Sequence, residues 1–208
     1  METDEKVNAF REINDFAHSH NVKMGIQLAH AGRKASTMLP WDDHRIASPS
    51  EGGWTPVSAS ALPYHGMLEP HALSIIEIKD LVGAFASAAL RAVNAGFDVV
   101  EIHAAHGYLF HQFYSPLSNQ RTDEYGGSFE NRVRFLLETI KEVRRVIPDS
   151  MPLFARISAS DWVPEGWTIE ESIELSKLMK GLGVDLVDVS SGGNLHNAPI
   201  KAVPGFQV

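Results

Sequence analysis

Two histidines stand three residues apart in His103-Ala-Ala-His106-Gly-Tyr108, with a phenol two residues beyond the second. Neutral imidazoles each donate an N–H, and two side by side can grip one carbonyl oxygen and polarise it. A tyrosine hydroxyl beside them can hand a proton to a carbanion-like carbon. The small Ala104, Ala105 and Gly107 leave room for a ligand among the rings. The same pair also suits a metal ion, or two histidines satisfied within a core. That strand has no His-x-His and the chain no His-Glu-x-x-His, so the spacing does not single out a metal.

Gln27 sits between Ile26 and Leu28, where a structural strand ordinarily carries an aliphatic side chain. A primary amide offers both donor and acceptor and matches the edge of a pyrimidine-like ring; an amide satisfied by neighbouring backbone is the equal alternative. Arg156, inside Leu-Phe-Ala-Arg-Ile, is costly to bury without an anion. It either pairs with an interior carboxylate such as Glu101 or Asp188, or places a fixed positive charge beside a cofactor that becomes anionic on reduction. Arg33 and Lys34 read as exposed loop charge, with a phosphate or an anionic substrate as the second reading. Trp41, Trp54, Tyr64, Trp162 and Trp167 fall on loops, most of them as anchors packed against a rim.

Groups so far apart in the chain need a scaffold that brings loop ends together. Residues 4–20 predict an amphipathic helix with Val7, Phe10, Ile13 and Phe16 at three-residue steps, and 23–29 a short buried strand. Periodicity then fails from 32 to 71, where prolines fall at 40, 49, 56, 63 and 70, as expected of a covering or binding loop. A helix over 74–95 follows, with Ser74 and Glu77 in capping-box spacing and Gly96 at its stop. Strands at 98–103, 152–158 and 185–190 alternate with helices over 128–146 and 168–183, and a Gly-rich polar tail runs to Val208. Alternating strands and helices predict parallel pairing with right-handed crossovers, hence an α/β fold.

No Gly-x-Gly-x-x-Gly follows any strand, so the dinucleotide fingerprint is absent. Each strand is apolar first and polar at its C-terminal end: Gln27 and His30; His103 and His106; Arg156, Ser158 and Asp161; Asp188, Ser190 and Ser191. Polar groups collected at one end of parallel strands are the pattern of a β/α barrel active site, although the Ser and Asp residues also read as caps of the following loops. A whole barrel needs eight strands in about 250 residues, and four are visible here. Four strands leave two unpaired edges, so the expectation is a piece of a larger barrel or a half barrel that self-associates as a homo-oligomer.

The composition narrows the functional classes. Net charge is −8, with 44% hydrophobic and 21% charged residues and no run of Lys or Arg, so neither nucleic acid nor an anionic membrane is an expected partner. No segment approaches the roughly 18 apolar residues of a membrane span, and the start, METDEKVNAF, reads as neither a secretory signal nor a transit peptide. The absence of cysteine removes disulfides and thiolate metal sites, and fits a cytoplasmic enzyme acting on a small molecule.

Five segments, GIQLAHAGRKAS (25–36), EIHAAHGYLFHQFYSPLSNQRTDEYGGSFENR (101–132), ISASDW (157–162), VSSGG (189–193) and VPGFQV (203–208), together resemble the Old Yellow Enzyme family, its bacterial NADPH dehydrogenase branch in particular. The resemblance implies a (β/α)8 barrel, of which this chain covers about the third to sixth βα units, with FMN as cofactor and NADPH as reductant. It implies hydride transfer to an enone-type alkene. Gln27 then binds the flavin pyrimidine ring, Arg156 sits by the flavin N1 and C2 carbonyl, His103 and His106 hold the substrate carbonyl, and Tyr108 delivers the proton. The family's first two strands, and its last two with the Gly-rich loop and arginine that hold the FMN phosphate, have no counterpart here. Two other readings stand beside it: a truncated, non-catalytic half barrel, and a metal-dependent hydrolase using His30, His103 and His106.

Overall fold

The computed structural model describes residues 1–39, 41 and 45–200; the 203–208 segment of the resemblance and Pro40 of the excursion lie outside the described residues. Four strands, β1 (Gly25–Leu28), β4 (Val99–Ala104), β5 (Leu153–Ser158) and β6 (Leu186–Ser190), form one all-parallel sheet in the order β1-β4-β5-β6. That order runs one way along the chain without reversing. A doubly wound sheet reverses at a switch point, whereas a barrel wall does not, so the sheet is barrel wall.

Helices α2 (Ile75–Asn94), α4 (Phe129–Val146) and α5 (Ile169–Gly181) make the crossovers, α2 packing along α4 and α4 against α5. Their starts are written locally. Ser74 and Glu77 close a reciprocal capping box on α2, Thr168 and Glu171 do so on α5, and Ser128 caps α4. One face of the sheet, with Leu28, Val100, Ile102, Ala104, Leu153, Ala155 and Ile157, is buried in a common core with Ile78, Phe85, Val133, Ile140, Leu175 and Met179 of the helices. Because side chains alternate along a strand, register assigns the opposite face. Gln27, Glu101, Phe154 and Leu186 form one row across it, and His103, Arg156 and Asp188 the next.

Helix α1 (Glu5–Ser19) precedes the sheet, and its buried side differs from the expected stripe. Val7 and Phe10 are partly buried and Asn14 fully so, but Ile13 and Phe16 are 55% and 69% exposed. Three-residue steps fall short of a full turn of 3.6, so a stripe at that spacing winds off the contact face. Between 32 and 71 the chain is more ordered than its lack of periodicity predicts. It carries 3-10 turns at Gly32–Lys34 and Pro49–Glu51, a bridge between Thr37 and Ile46, and a parallel ribbon of β2 (Val57–Ser58) with β3 (His71–Ala72). Arg121 Nη1 pins the segment by donating to Ala59 O (2.9 Å) and Leu73 O (2.5 Å). A short helix, α3 (Leu109–Tyr114), also stands within the loop expected after the second main strand; all six of its residues are buried, so no polar face marks it.

Candidate active site

The end of β4 carries the site. Beyond Ala104 the backbone enters the left-handed region twice, at His106 (φ 58°) and Gly107 (φ 70°), and so folds back on itself before α3. This turn gathers the three sequence-predicted residues: the His103 ring lies 5.1 Å from that of His106 and 5.0 Å from that of Tyr108, both edge-on. His103 Nδ1 accepts from the Ala105 amide (3.2 Å), which leaves the proton on Nε2 as a donor. His106 Nε2 lies 2.6 Å from Ser190 Oγ, at the end of β6.

Burial lowers the pKa of His103 to about 4, helped by neighbouring His106 and Arg156, and burial and Arg156 lower that of His106 as well. Both rings are therefore neutral donors at neutral pH. The folded form resists a proton that the unfolded chain accepts near 6.5, so this contribution is complete above pH 6.5 and is lost as pH falls toward 4. For a residue 6% exposed, the loss is on the order of 3 kcal/mol. An imidazole titration of the intact chain is expected to show His103 still neutral at pH 5; a His103 midpoint near 6.5 would contradict the neutral-donor assignment.

Arg156 is adjacent to His103 in register and 3.1 Å from Asp188 through Nε and Oδ2, so of the two carboxylates expected from sequence it takes Asp188. The approach is off-line, and buried Nε has no aligned hydrogen-bond acceptor. Gln27 is exposed on the same face, one row earlier, and donates from Nε2 to Glu101 at 2.5 Å. The structure thus places Gln27, Arg156, His103, His106 and Tyr108 on one side of the sheet.

Several residues given a blander reading turn out to build the site. Arg33, read as exposed loop charge, is 5% exposed and donates to Leu62 O, Asn194 O and Asn194 Oδ1. Lys34 donates to His106 O (2.8 Å) and Gly193 O (2.5 Å), tying the ends of β4 and β6 together, and stands 4.4 Å over the Tyr64 ring. Burial, then the charge of Arg33, lower its pKa to about 8. Ser158, read as a loop cap, is fully buried; its Oγ accepts from the His106 amide (2.9 Å) and donates to Gly192 O (2.8 Å). Proximity to a strand end was the only sequence signal for these residues, and it does not distinguish a cap from a site support. Of the loop aromatics, Trp167 is fully buried, whereas Trp41 and Trp54 are 77% and 59% exposed and are not anchors.

His30, the third histidine considered for a metal, turns Nδ1 to the Gly32 amide (3.0 Å). Among the described residues, no three His, Cys, Asp or Glu side chains form a metal-ligating group, and no helix is long and apolar enough to cross a membrane.

Parallel barrel strands with a polar, histidine-bearing cluster at their C-terminal ends define a barrel enzyme site. Comparison with known proteins makes the assignment specific. Residues 1–205 match the NADH:flavin oxidoreductase / NADH oxidase family, and the chain belongs to it. It is 48% identical over 223 residues to an NADH:flavin oxidoreductase of Gibberella zeae, covering 99% of this chain and 54% of that protein. It is also 48% identical over 206 residues to an NADPH dehydrogenase of Bacillus subtilis, covering 99% and 56%. The old yellow enzyme homologue from Zymomonas mobilis superposes with a TM-score of 0.73 at 28% identity, over 90% of this chain and 53% of that one. The Old Yellow Enzyme resemblance and the partial (β/α)8 barrel both hold, and the chain spans about half the length of the curated relatives it matches.

Proposed function

We propose that this chain carries the substrate-polarising and cofactor-facing part of an FMN-dependent oxidoreductase that uses NADPH to reduce an activated, enone-type alkene. The observation that carries the reading is the clustering of His103, His106 and Tyr108 beside the strand face that holds Gln27 and Arg156. The residues present fit a flavin: the half-buried guanidinium of Arg156, paired through Nε with Asp188, and the exposed carboxamide of Gln27 share one face, a fixed charge and an amide that suit the pyrimidine edge of an isoalloxazine. Gln27 would hold that edge and Arg156 the N1 and C2-carbonyl side. When bound, FMN supplies the hydride after reduction by NADPH.

The rest is done by the chain's own residues. His103 and His106, kept neutral by burial, donate N–H bonds to the substrate carbonyl oxygen and draw electron density from the conjugated alkene. Tyr108, whose ring stands edge-on to that of His103, gives its hydroxyl proton to the α-carbon. Lys34 and Ser158 hold the loop against the end of β6, fixing the angle between the donors.

Titrating FMN with the chain is expected to quench flavin emission saturably, with Gln27→Ala and Arg156→Ala each weakening that binding about tenfold. A phenol added to the complex is expected to bind about tenfold more weakly in His103→Ala and in His106→Ala, with flavin retained. A folded sample whose addition leaves flavin emission unchanged would sink the reading for this chain.

A further inference from the structure

His111 takes no part in the chemistry above, yet it is fully buried in α3 and held on every side. Its Nδ1 accepts from the Gly107 amide at 3.0 Å, and its Nε2 lies 2.8 Å from Asp161 Oδ1. A ring nitrogen that accepts a backbone N–H must be bare, so the proton resides on Nε2 and is donated to Asp161. Asp161, also fully buried, accepts from Ser115 Oγ (2.5 Å) and the Trp167 amide (2.9 Å) on its other oxygen. The imidazole stacks on Tyr114 with centroids 4.6 Å apart and planes at 20°. Both the tautomer and the orientation of the ring are therefore set by groups beneath the site.

Gly107 joins His106 to Tyr108, and two successive left-handed residues there, one of them a histidine, form a turn the chain does not favour by itself. Such a turn persists when its surroundings hold it. The Gly107 amide is held by His111, and its carbonyl accepts from Gln112 Nε2 at 2.7 Å.

We propose that His111, oriented by Asp161, is a positioning residue of the substrate site: its bare Nδ1 holds the Gly107 amide and locks the His106–Gly107 turn, so that His106 and Tyr108 face one ligand. The inference rests on the substrate roles given to His106 and Tyr108 above, but the turn is measurable without flavin or substrate. Asparagine keeps the acceptor for Gly107, because its Oδ1 overlies Nδ1, while its Nδ2 overlies Cδ2 and stops short of Asp161; phenylalanine fills the ring volume and makes neither bond.

Nitrogen and proton NMR of the intact chain tests this. The expected result is a bare Nδ1 and a protonated Nε2 on His111, with a Gly107 amide exchanging about a hundredfold more slowly than an exposed one. In His111→Asn, the Gly107 protection and the His103, His106 and Tyr108 ring signals are expected to persist. In His111→Phe, protection is expected to fall about a hundredfold and those ring signals to move, while the exposed Trp54 indole signal stays. A proton on Nδ1, an unprotected Gly107 amide, or a His111→Asn protein that loses the turn would overturn the proposal. So would a folded His111→Phe protein that keeps the turn. If the phenylalanine variant does not fold, the parent chain and His111→Asn decide. Failure of FMN to bind leaves all of these outcomes standing, so the two readings fail separately.

Discussion

Replacing Gly193 with alanine is expected to lower the stability of the chain by about 3 kcal/mol or more and to scatter the ring signals of His103, His106 and Tyr108. The loops after β4 and β6 pack backbone on backbone. A Cβ at Gly193 would stand 2.6 Å from His106 Cα and C and 2.7 Å from its O, at a φ of 93°. The opposing residue has no slack, since a Cβ at Gly107 would meet Gly193 O at 2.2 Å. Rigid backbone cannot yield as a side-chain tip can, so one of the two loops must withdraw and take the Lys34 bridge with it. Denaturant unfolding of Gly193→Ala beside Gly83→Ala checks this. Gly83 lies in α2 with open space where its Cβ would point, so that variant is expected to be neutral or slightly stabilising. Equal stabilities for the two would show that the close approach carries no weight.

Arg132→Met is expected to be comparably damaging, by about 3 kcal/mol, because it removes a buried, multiply bonded guanidinium and strips two backbone carbonyls and a partly buried carboxylate of their partner. Arg132 is 7% exposed and donates to Gly127 O (3.1 Å) and Tyr114 O (2.5 Å), and it pairs with Glu171 near the start of α5. Its guanidinium also stands 5.9 Å over the Trp167 ring. One planar, forked side chain thus fastens the C-terminal end of α3, the loop before α4 and the start of α5 together. Lysine carries the charge without the fork, so Arg132→Lys is expected to recover less than half of the loss. Chemical denaturation of the two variants measures it, and an Arg132→Met midpoint within error of the parent would remove this staple from the account. Loosening α3 also frees His111, so the Gly107 amide is expected to exchange faster in Arg132→Met.

Much of this protein was legible in local sequence because it is locally caused. Capping boxes at Ser74 and Thr168, strand runs such as VVEIHA and LFARIS, and their alternation with helices depend on neighbours within a few residues, and they predict the parallel β/α order that the sheet shows. The candidates for site chemistry stood out in sequence as well: His103, His106 and Tyr108 fall within six residues, and Gln27 and Arg156 are polar groups within apolar strands. What they do to one another was not. Sequence offered Arg156 both Glu101 and Asp188, and register chose Asp188 by putting it in the same row and Glu101 opposite Gln27. The burial of Arg33, the bridge that Lys34 makes between two strand ends, the helix at Leu109–Tyr114 and the His111–Asp161 pair, 50 residues apart, carry no local signature. A polar residue looks the same in sequence whether it caps a loop or supports a site; only the packing of distant strand ends, with their glycines in contact, determines which it is.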